Sequence, residues 1–224
     1  MGCCKSKVKN LESNGALYKS APHIMFVGPP GVGKTTLLFR IVMPGWTDII
    51  QGMEPTKAFY HEVVVRRGRT LHLWDFSGNP ALQRSWNGLY RYVKMWAAVY
   101  VVSLTDTNPE RIARNRAELR ALLSDDCLCD SAIVVVMNTF GMGIDSVPIP
   151  PPEMASRLGL LEAEDTAAAS RLAWFVVDAK EGEGDAQFQE AVNFLFAHFA
   201  KMEAVKEDGS RPQKKKGKAK KAKK

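Results

Sequence analysis

Eight residues near the start of the chain, Gly28-Pro29-Pro30-Gly31-Val32-Gly33-Lys34-Thr35, fit the pattern G-x-x-x-x-G-K-[ST]. The chemistry of that pattern is phosphate capture. Backbone N–H groups of residues 31–35 curl around the anion, and a helix N-terminus behind them adds a favourable field. Lys34 carries a positive charge to the β- and γ-phosphates, Thr35 offers a hydroxyl to Mg²⁺, and Thr36 lies beside it at the start of the helix. A second group with chemistry to offer is Trp74-Asp75-Phe76-Ser77-Gly78, a D-x-x-G sequence. Its carboxylate can support the same Mg²⁺ through water, and the Gly78 amide can bind a γ-phosphate.

These groups need elements to hold them. Ile24 to Val27 is a short apolar run before the glycine loop, and a helical pattern starts at Gly33-Lys34, so the loop joins a strand to a helix. Residues 43–58 contain Pro44, Gly45, Gly52 and Pro55 with no period and read as a loop. Phe59 to Arg66 and Thr70 to Asp75 form two extended runs around Arg67-Gly68-Arg69, a hairpin signature. Ala97 to Leu104 and Ala132 to Met137 are continuous apolar runs suited to buried parallel strands. A helix lies between them, with Thr107 and Glu110 as a capping box and Pro109 in the first turn. Residues 139–152 read as a Gly/Pro loop, Leu172 to Val177 as the last strand, and Gly184 to Met202 as the last helix. Phe188, Ala191, Val192, Leu195 and Phe199 share one face of that helix. Strands alternating with helices predict an α/β fold, a doubly wound sheet covered on both faces.

The phosphate loop alone does not name a family, because Pro29-Pro30 before Gly-Val-Gly-Lys-Thr is common in AAA-type ATPases and some nucleotide kinases. Those need a strand ending in Asp-Glu or an arginine-bearing lid, and neither is present. Pro55-Thr56, Phe59, Trp74-Asp75 and Trp86 instead resemble the switch pattern of the ADP-ribosylation factors and their Arf-like relatives in the Ras superfamily. Thr56 and Asp75 stand 19 residues apart, as the family's switch threonine and D-x-x-G aspartate do. Arg157-Leu158-Gly159-Leu160 resembles a segment ahead of the family's last strand, so the likeness covers roughly residues 22–200. It implies a P-loop NTPase of small G-protein fold, a six-stranded mostly parallel sheet with helices on both faces. It also implies GTP or GDP as ligand, with Mg²⁺ held by Thr35, by Thr56 in the triphosphate state, and by Asp75 through water. Gly28, Gly31, Val32, Gly33, Lys34, Thr35, Thr36, Thr56 and Gly78 would surround the phosphates. Asn138, Ala179 and Lys180 would serve the base, because Asp178-Ala179-Lys180 resembles the family's S-A-K loop. Phe59, Trp74 and Trp86 match aromatic positions of an effector surface, and are equally readable as core. The tyrosine expected nearby is Leu89.

Several positions depart from the family. Asn79 stands where the hydrolytic glutamine belongs, one methylene shorter, and Ser77 replaces the first glycine of D-x-G-G. Pro30 crowds the phosphate loop, and the loop 43–58 is slightly long. The guanine motif N-K-x-D becomes Asn138-Thr139-Phe140-Gly141, so the lysine and the aspartate are both gone. That loop alone predicts weak discrimination of guanine from adenine, with Asp145 as the nearest acid. Two readings stay open: a switch with slow or partner-dependent hydrolysis, and a pseudo-GTPase scaffold whose nucleotide is structural, weakly held or absent.

The ends carry different information. The chain has 224 residues and a net charge of +7, but residues 210–224 hold Arg211 and eight lysines with no acid, leaving the rest at about −2. Basic character therefore belongs to a tail, and a nucleic-acid-binding surface on the fold is not expected. Met1-Gly2-Cys3-Cys4-Lys5-Ser6 fits the myristoylation pattern at Gly2, with Cys3 and Cys4 as palmitoylation candidates. No apolar run is long enough to cross a bilayer. The expected organisation is an acylated basic segment 1–21, a GTPase-like domain 22–203 and a disordered lysine-rich tail 204–224. The expected place is the cytoplasmic face of a membrane, as a peripheral lipid-anchored protein. Effectors would meet the switch regions, and an exchange factor and an activating protein are implied partners. Cys127 and Cys129 lack zinc spacing and read as small thiols.

Overall fold

The computed structural model describes residues 21–45, 54–163, 166 and 168–210. The acylation positions Gly2, Cys3 and Cys4, the stretch 46–53 of the long loop and the lysine-rich residues 211–224 lie outside the described residues.

Six strands make one sheet: β1 His23–Val27, β2 Phe59–Arg66, β3 Arg69–Phe76, β4 Ala97–Ser103, β5 Ala132–Asn138 and β6 Leu172–Val177. Their spatial order is β2-β3-β1-β4-β5-β6. Only β2 runs antiparallel to its neighbour, paired residue for residue from Phe59↔Phe76 to Arg66↔Arg69. Arg67 and Gly68 both take positive φ, 49° and 74°, which is the two-residue turn whose twist suits a hairpin. All seven residues of β4 and of β5 are buried, because both faces of a parallel sheet are covered.

Alternation along the strands feeds two cores. On one face Met25, Val27, Tyr100, Val102 and Val135 pack with helices α2 Gln83–Tyr90, α3 Pro109–Ser124 and α4 Pro151–Leu158. On the other face Ile24, Phe26, Val99, Val101 and Val134 pack with α1 Lys34–Val42 and the last long helix Ala186–Ser210. The short helix Leu160–Ala163 is α5 and the last helix is α6. The apolar stripe on α6 lies as expected, with Phe188, Ala191, Leu195 and Phe199 buried and Val192 packed beside them.

β1 sits between β3 and β4, parallel to both. The connection from β1 runs through α1 on one face and that from β3 through α2 on the other, which opens between their carboxyl ends the crevice where doubly wound folds bind ligands. The glycine loop begins at that end.

Three details correct the sequence reading. The cap of α3 is Asn108, not Thr107: its side chain accepts from the N–H groups of Glu110 and Arg111, and Pro109 then occupies the first helical position. The Gly/Pro loop ends earlier than 152, because Pro151 and Pro152 open α4 in the turn where proline costs no hydrogen bond. The last helix continues to Ser210, past the end expected at Met202, through Glu203-Ala204-Val205-Lys206-Glu207. Those residues are mostly strong helix formers.

Candidate functional site

The carboxyl ends of β1 and β3 bring the two chemical sequences together. Asp75 ends the parallel pairing of β3 with β1, opposite Phe26, and is 0% exposed. Its Oδ2 accepts hydrogen bonds from Thr35 Oγ1 at 2.6 Å and Thr56 Oγ1 at 2.7 Å. The two hydroxyls are 3.3 Å apart. Its other oxygen, Oδ1, is buried without a hydrogen-bond partner among the described residues. Burial raises the Asp75 pKa, opposed by the two threonine hydrogen bonds and by the charge of Lys34. A lone pair orphaned in this way beside two hydroxyls is the donor set of a hard divalent cation with oxygen ligands, and Mg²⁺ fits it. Thr35, Thr56 and Asp75 are the three residues that would hold it.

Around them runs a groove of about 460 Å³, lined by Gly31, Gly33, Lys34, Thr35, Thr36, Thr56, Gly78, Asn79 and Phe140. Two glycines there are demanded by space. A Cβ on Gly33, whose φ is 96°, would stand 2.5 Å from Asn138 Nδ2. One on Gly78 would collide with the backbone of Pro29 and Pro30. The D-x-x-G glycine is thus pressed against the phosphate loop at its proline pair. Gly28, with φ 127°, starts the loop but lies behind this groove against Val101.

Lys34 is 5% exposed, and its Nζ donates to the carbonyls of Gly28 at 3.1 Å and Pro29 at 2.6 Å. Asn79 lines this groove, and its Oδ1 is used by the chain itself: it accepts from Ala81 N at 3.0 Å and so caps the turn that leads into α2.

The base-side residues have been reorganised. Asn138, 1% exposed, donates from Nδ2 to Val32 O at 2.9 Å and accepts at Oδ1 from Phe140 N and Ala179 N. It is a strut joining three loops. The Ala179 N–H, expected to meet a base oxygen, instead donates to Asn138 Oδ1 at 3.2 Å, an oxygen it shares with Phe140 N. The Arg40 guanidinium, at the end of α1, donates to the carbonyls of Ala179 and Lys180 and fastens the same loop to the phosphate helix. Thr139 is buried, while Phe140 takes a left-handed φ of 58° and faces the phosphate groove. Asp145 is exposed in the turn Ile144–Ser146 and lines neither this groove nor the neighbouring cavity of about 660 Å³. The sequence patterns pointed to neither Arg40 nor Phe140. Both act through tertiary contacts that no local motif signals.

The three aromatics divide. Trp86 is 4% exposed and belongs to the core, Trp74 is half-buried, and Phe59 is 56% exposed on the edge strand. Cys127 is half-buried and Cys129 exposed, and no histidine, cysteine and carboxylate group among the described residues could hold a metal.

Burial pushes the Lys34 ammonium down from 10.5 to about 8, against the attraction of Asp75 and Glu118. Between those pH values the unfolded chain holds a proton that the folded chain has released, so stability should rise with pH across that window. Below pH 8 both forms are charged and the burial penalty is full. In urea unfolding of the nucleotide-free protein, the midpoint of the wild type relative to Lys34→Met should therefore climb between pH 8 and 10. A flat difference would show that Lys34 keeps its ordinary proton affinity.

Comparison with known proteins agrees with this geometry. The model of the ADP-ribosylation factor family matches residues 8–196. ADP-ribosylation factor-like protein 8b of Arabidopsis thaliana is 30% identical over 121 residues, covering 54% of this chain and 62% of the relative. ADP-ribosylation factor-like protein 5A of Rattus norvegicus is 28% identical over 123 residues, 54% of this chain and 64% of that one. The chain thus aligns with a little over three fifths of the length of these relatives. Among solved structures, the Arl6 BBS3 small GTPase from Trypanosoma brucei, with bound nucleotide analogue GppNp, matches with a TM-score of 0.65 and 15% identity. That match covers 81% of this chain and 98% of the other, and it shows a shared fold. The family match spans the phosphate loop, both switch sequences and the base loops, and the chain belongs to the ADP-ribosylation factor family.

Proposed function

We propose that this protein is a guanine-nucleotide switch that works on a membrane surface, with slow hydrolysis. The observation that carries the reading is the convergence of Thr35, Thr56 and Asp75 on one oxygen cluster with an orphaned carboxylate lone pair. Thr56 comes from the loop before β2 and Asp75 from the end of β3, so a bound Mg²⁺–triphosphate would tie both switch segments to α1. Release of the γ-phosphate would free Thr56 and Gly78 together. That gives effectors two surfaces to distinguish.

Hydrolysis is slow in this reading because Asn79 is short and its carbonyl is used as a cap. An activating partner would then supply the missing charge, as an arginine finger does for roughly 10³–10⁵ in rate. The pseudo-GTPase alternative draws its support from the same residue and from Thr139 and Gly141 in the base motif.

Membrane attachment is supported by Gly2, Cys3 and Cys4 and by the lysine tail. No helix among the described residues is long and apolar enough to cross a bilayer. One myristoyl chain binds with K on the order of 10⁴ M⁻¹, so a palmitate or a basic patch must make the attachment durable. Each lysine near an anionic surface adds up to about 1 kcal/mol.

Three outcomes test this. Calorimetry should show Mg²⁺-dependent GTP binding that Lys34→Ala abolishes, and unchanged affinity would sink the nucleotide reading. Single-turnover hydrolysis should be slow and should accelerate in Asn79→Gln, whereas a fast wild type would remove any need for a partner. Gly2→Ala should move the protein from membranes to the soluble fraction. If it stays bound, the anchor lies elsewhere.

A further inference from the structure

We propose that Asp178 is the carboxylate that reads a guanine base in this protein, supplied from the loop after β6 to replace the side chain that position 141 lacks. The proposal rests on the nucleotide-binding reading above.

Gly141 stands where the family's base-reading aspartate would be, with φ 80°. A Cβ built there would lie 3.5 Å from Asp178 Oδ2, 3.8 Å from Lys180 Cδ and 3.9 Å from Lys180 Nζ. Any side chain from position 141 would therefore enter a space already walled by a carboxylate and an ammonium. The acid that the motif has lost on one loop is present on the facing loop, within van der Waals reach of where its stem would begin.

Asp178 is also held in place. Its N–H donates to Asp185 Oδ2 at 2.8 Å, and its Oδ1 accepts from Lys180 N at 2.9 Å. Oδ2 makes no hydrogen bond among the described residues. Oδ1 fixes the carboxylate with one lone pair and keeps the second, and Oδ2 keeps both, so the pair of oxygens can still accept two donors from a ligand. Asp185, the other acid lining the adjoining cavity, is committed as a cap, since it accepts from Asp178 N and Phe188 N.

The loop is placed at the correct end of the phosphate site. Ala179 Cβ would lie 3.6 Å from a Cβ on Gly33, and Asn138 links Ala179 N to Val32 O. A nucleotide whose phosphates occupy the glycine loop therefore meets residues 178–180 with its base.

Guanine presents two donors on one edge, N1–H and the 2-amino group, and a carboxylate accepts both. Adenine presents a lone pair at N1 and no 2-amino group, so the same carboxylate faces an acceptor and stays unpaired. A carboxylate desolvated by a bound base and left unpaired makes the site reject that analogue. The weak discrimination expected from residues 138–141 alone then does not follow.

The test is competition for the full-length protein, wild type and Asp178→Asn, among GTP, ITP, XTP and ATP, read as binding affinity with Mg²⁺ present. Asparagine keeps an Oδ1 to accept Lys180 N, so the loop is preserved, while its amide donates where a carboxylate accepts. Wild type should prefer GTP to ATP by about a hundredfold or more, and GTP to ITP by about tenfold, the share of the 2-amino contact. Asp178→Asn should lose at least about tenfold on GTP, erase the GTP–ITP difference and gain on XTP, whose 2-oxo group accepts from the amide. A wild type that binds GTP and ATP alike overturns the assignment and leaves the switch reading standing. So does a variant that weakens all four nucleotides equally, or none. A wild type that binds no triphosphate overturns the switch reading itself, and this assignment with it.

Discussion

The structure depends on one carboxylate that has been taken out of water. Asp75 is fully buried at the end of β3, and a charged carboxylate in that position is costly unless it is compensated. Its compensation comes from two hydroxyls on different segments, Thr35 at the start of α1 and Thr56 ahead of β2, and from the nearby Lys34 ammonium. Neither hydroxyl neutralises the charge, and Oδ1 has no hydrogen-bond partner among the described residues. The arrangement is therefore poised for a cation. It also explains why the loop before β2 reaches the phosphate site at all. Thr56 is half-exposed and makes its hydrogen bonds to Asp75 and Thr35, so removing the ligand set removes its reason to stay.

On the base side a different logic holds. Two of the three residue types that N-K-x-D specifies are gone, yet the framework that carries the loops is intact. Asn138 satisfies three backbone groups from three loops, and a buried amide so fully used is costly to replace. Arg40 clamps the 179–180 carbonyls from the other direction. The asparagine of the motif is thus a structural part and the lysine and aspartate are reading parts. Sequence can change the second kind without disturbing the first. With the scaffold retained, a carboxylate moved from position 141 to position 178 needs no change of backbone, only a different loop to stand on.

How much of this could be read from the residues follows the same division. The glycine loop, the D-x-x-G aspartate and the fully apolar β4 and β5 are local patterns, and they were legible. The resemblance to the family's switch spacing pointed to Thr56 as the partner of Asp75, and the two side chains meet. Helix α2 and the start of α4 were not legible: the first is short, and the second opens on a proline pair that looks like a loop. Asn108 displaced Thr107 as cap because Pro109 sets the first helical position one residue later. The roles of Arg40, Phe140 and Asp178 were hidden for another reason. Each depends on what lies opposite in space from another loop, and for Arg40 the partners Ala179 and Lys180 are more than a hundred residues away in sequence.

The aromatic residues show how the buried carboxylate can be felt at the surface. Strand β3 alternates, so Trp74 and Phe76 share one face while Asp75 takes the other. The Phe59 ring lies 6.0 Å from Trp74 and 6.2 Å from Phe76, and Phe76 lies 6.5 Å from Trp86 in α2. Trp74 also stacks on His61 at 4.0 Å. These rings run from the exposed edge strand, through the strand that bears Asp75, into the core under α2. The Trp86 indole N–H is buried with no acceptor among the described residues, a cost the fold carries at this position. Phe59 pairs with Phe76 at the start of β2, three residues after Thr56, so the exposed apolar edge formed by Phe59, Val63 and Val65 adjoins the segment that Thr56 pins to Asp75.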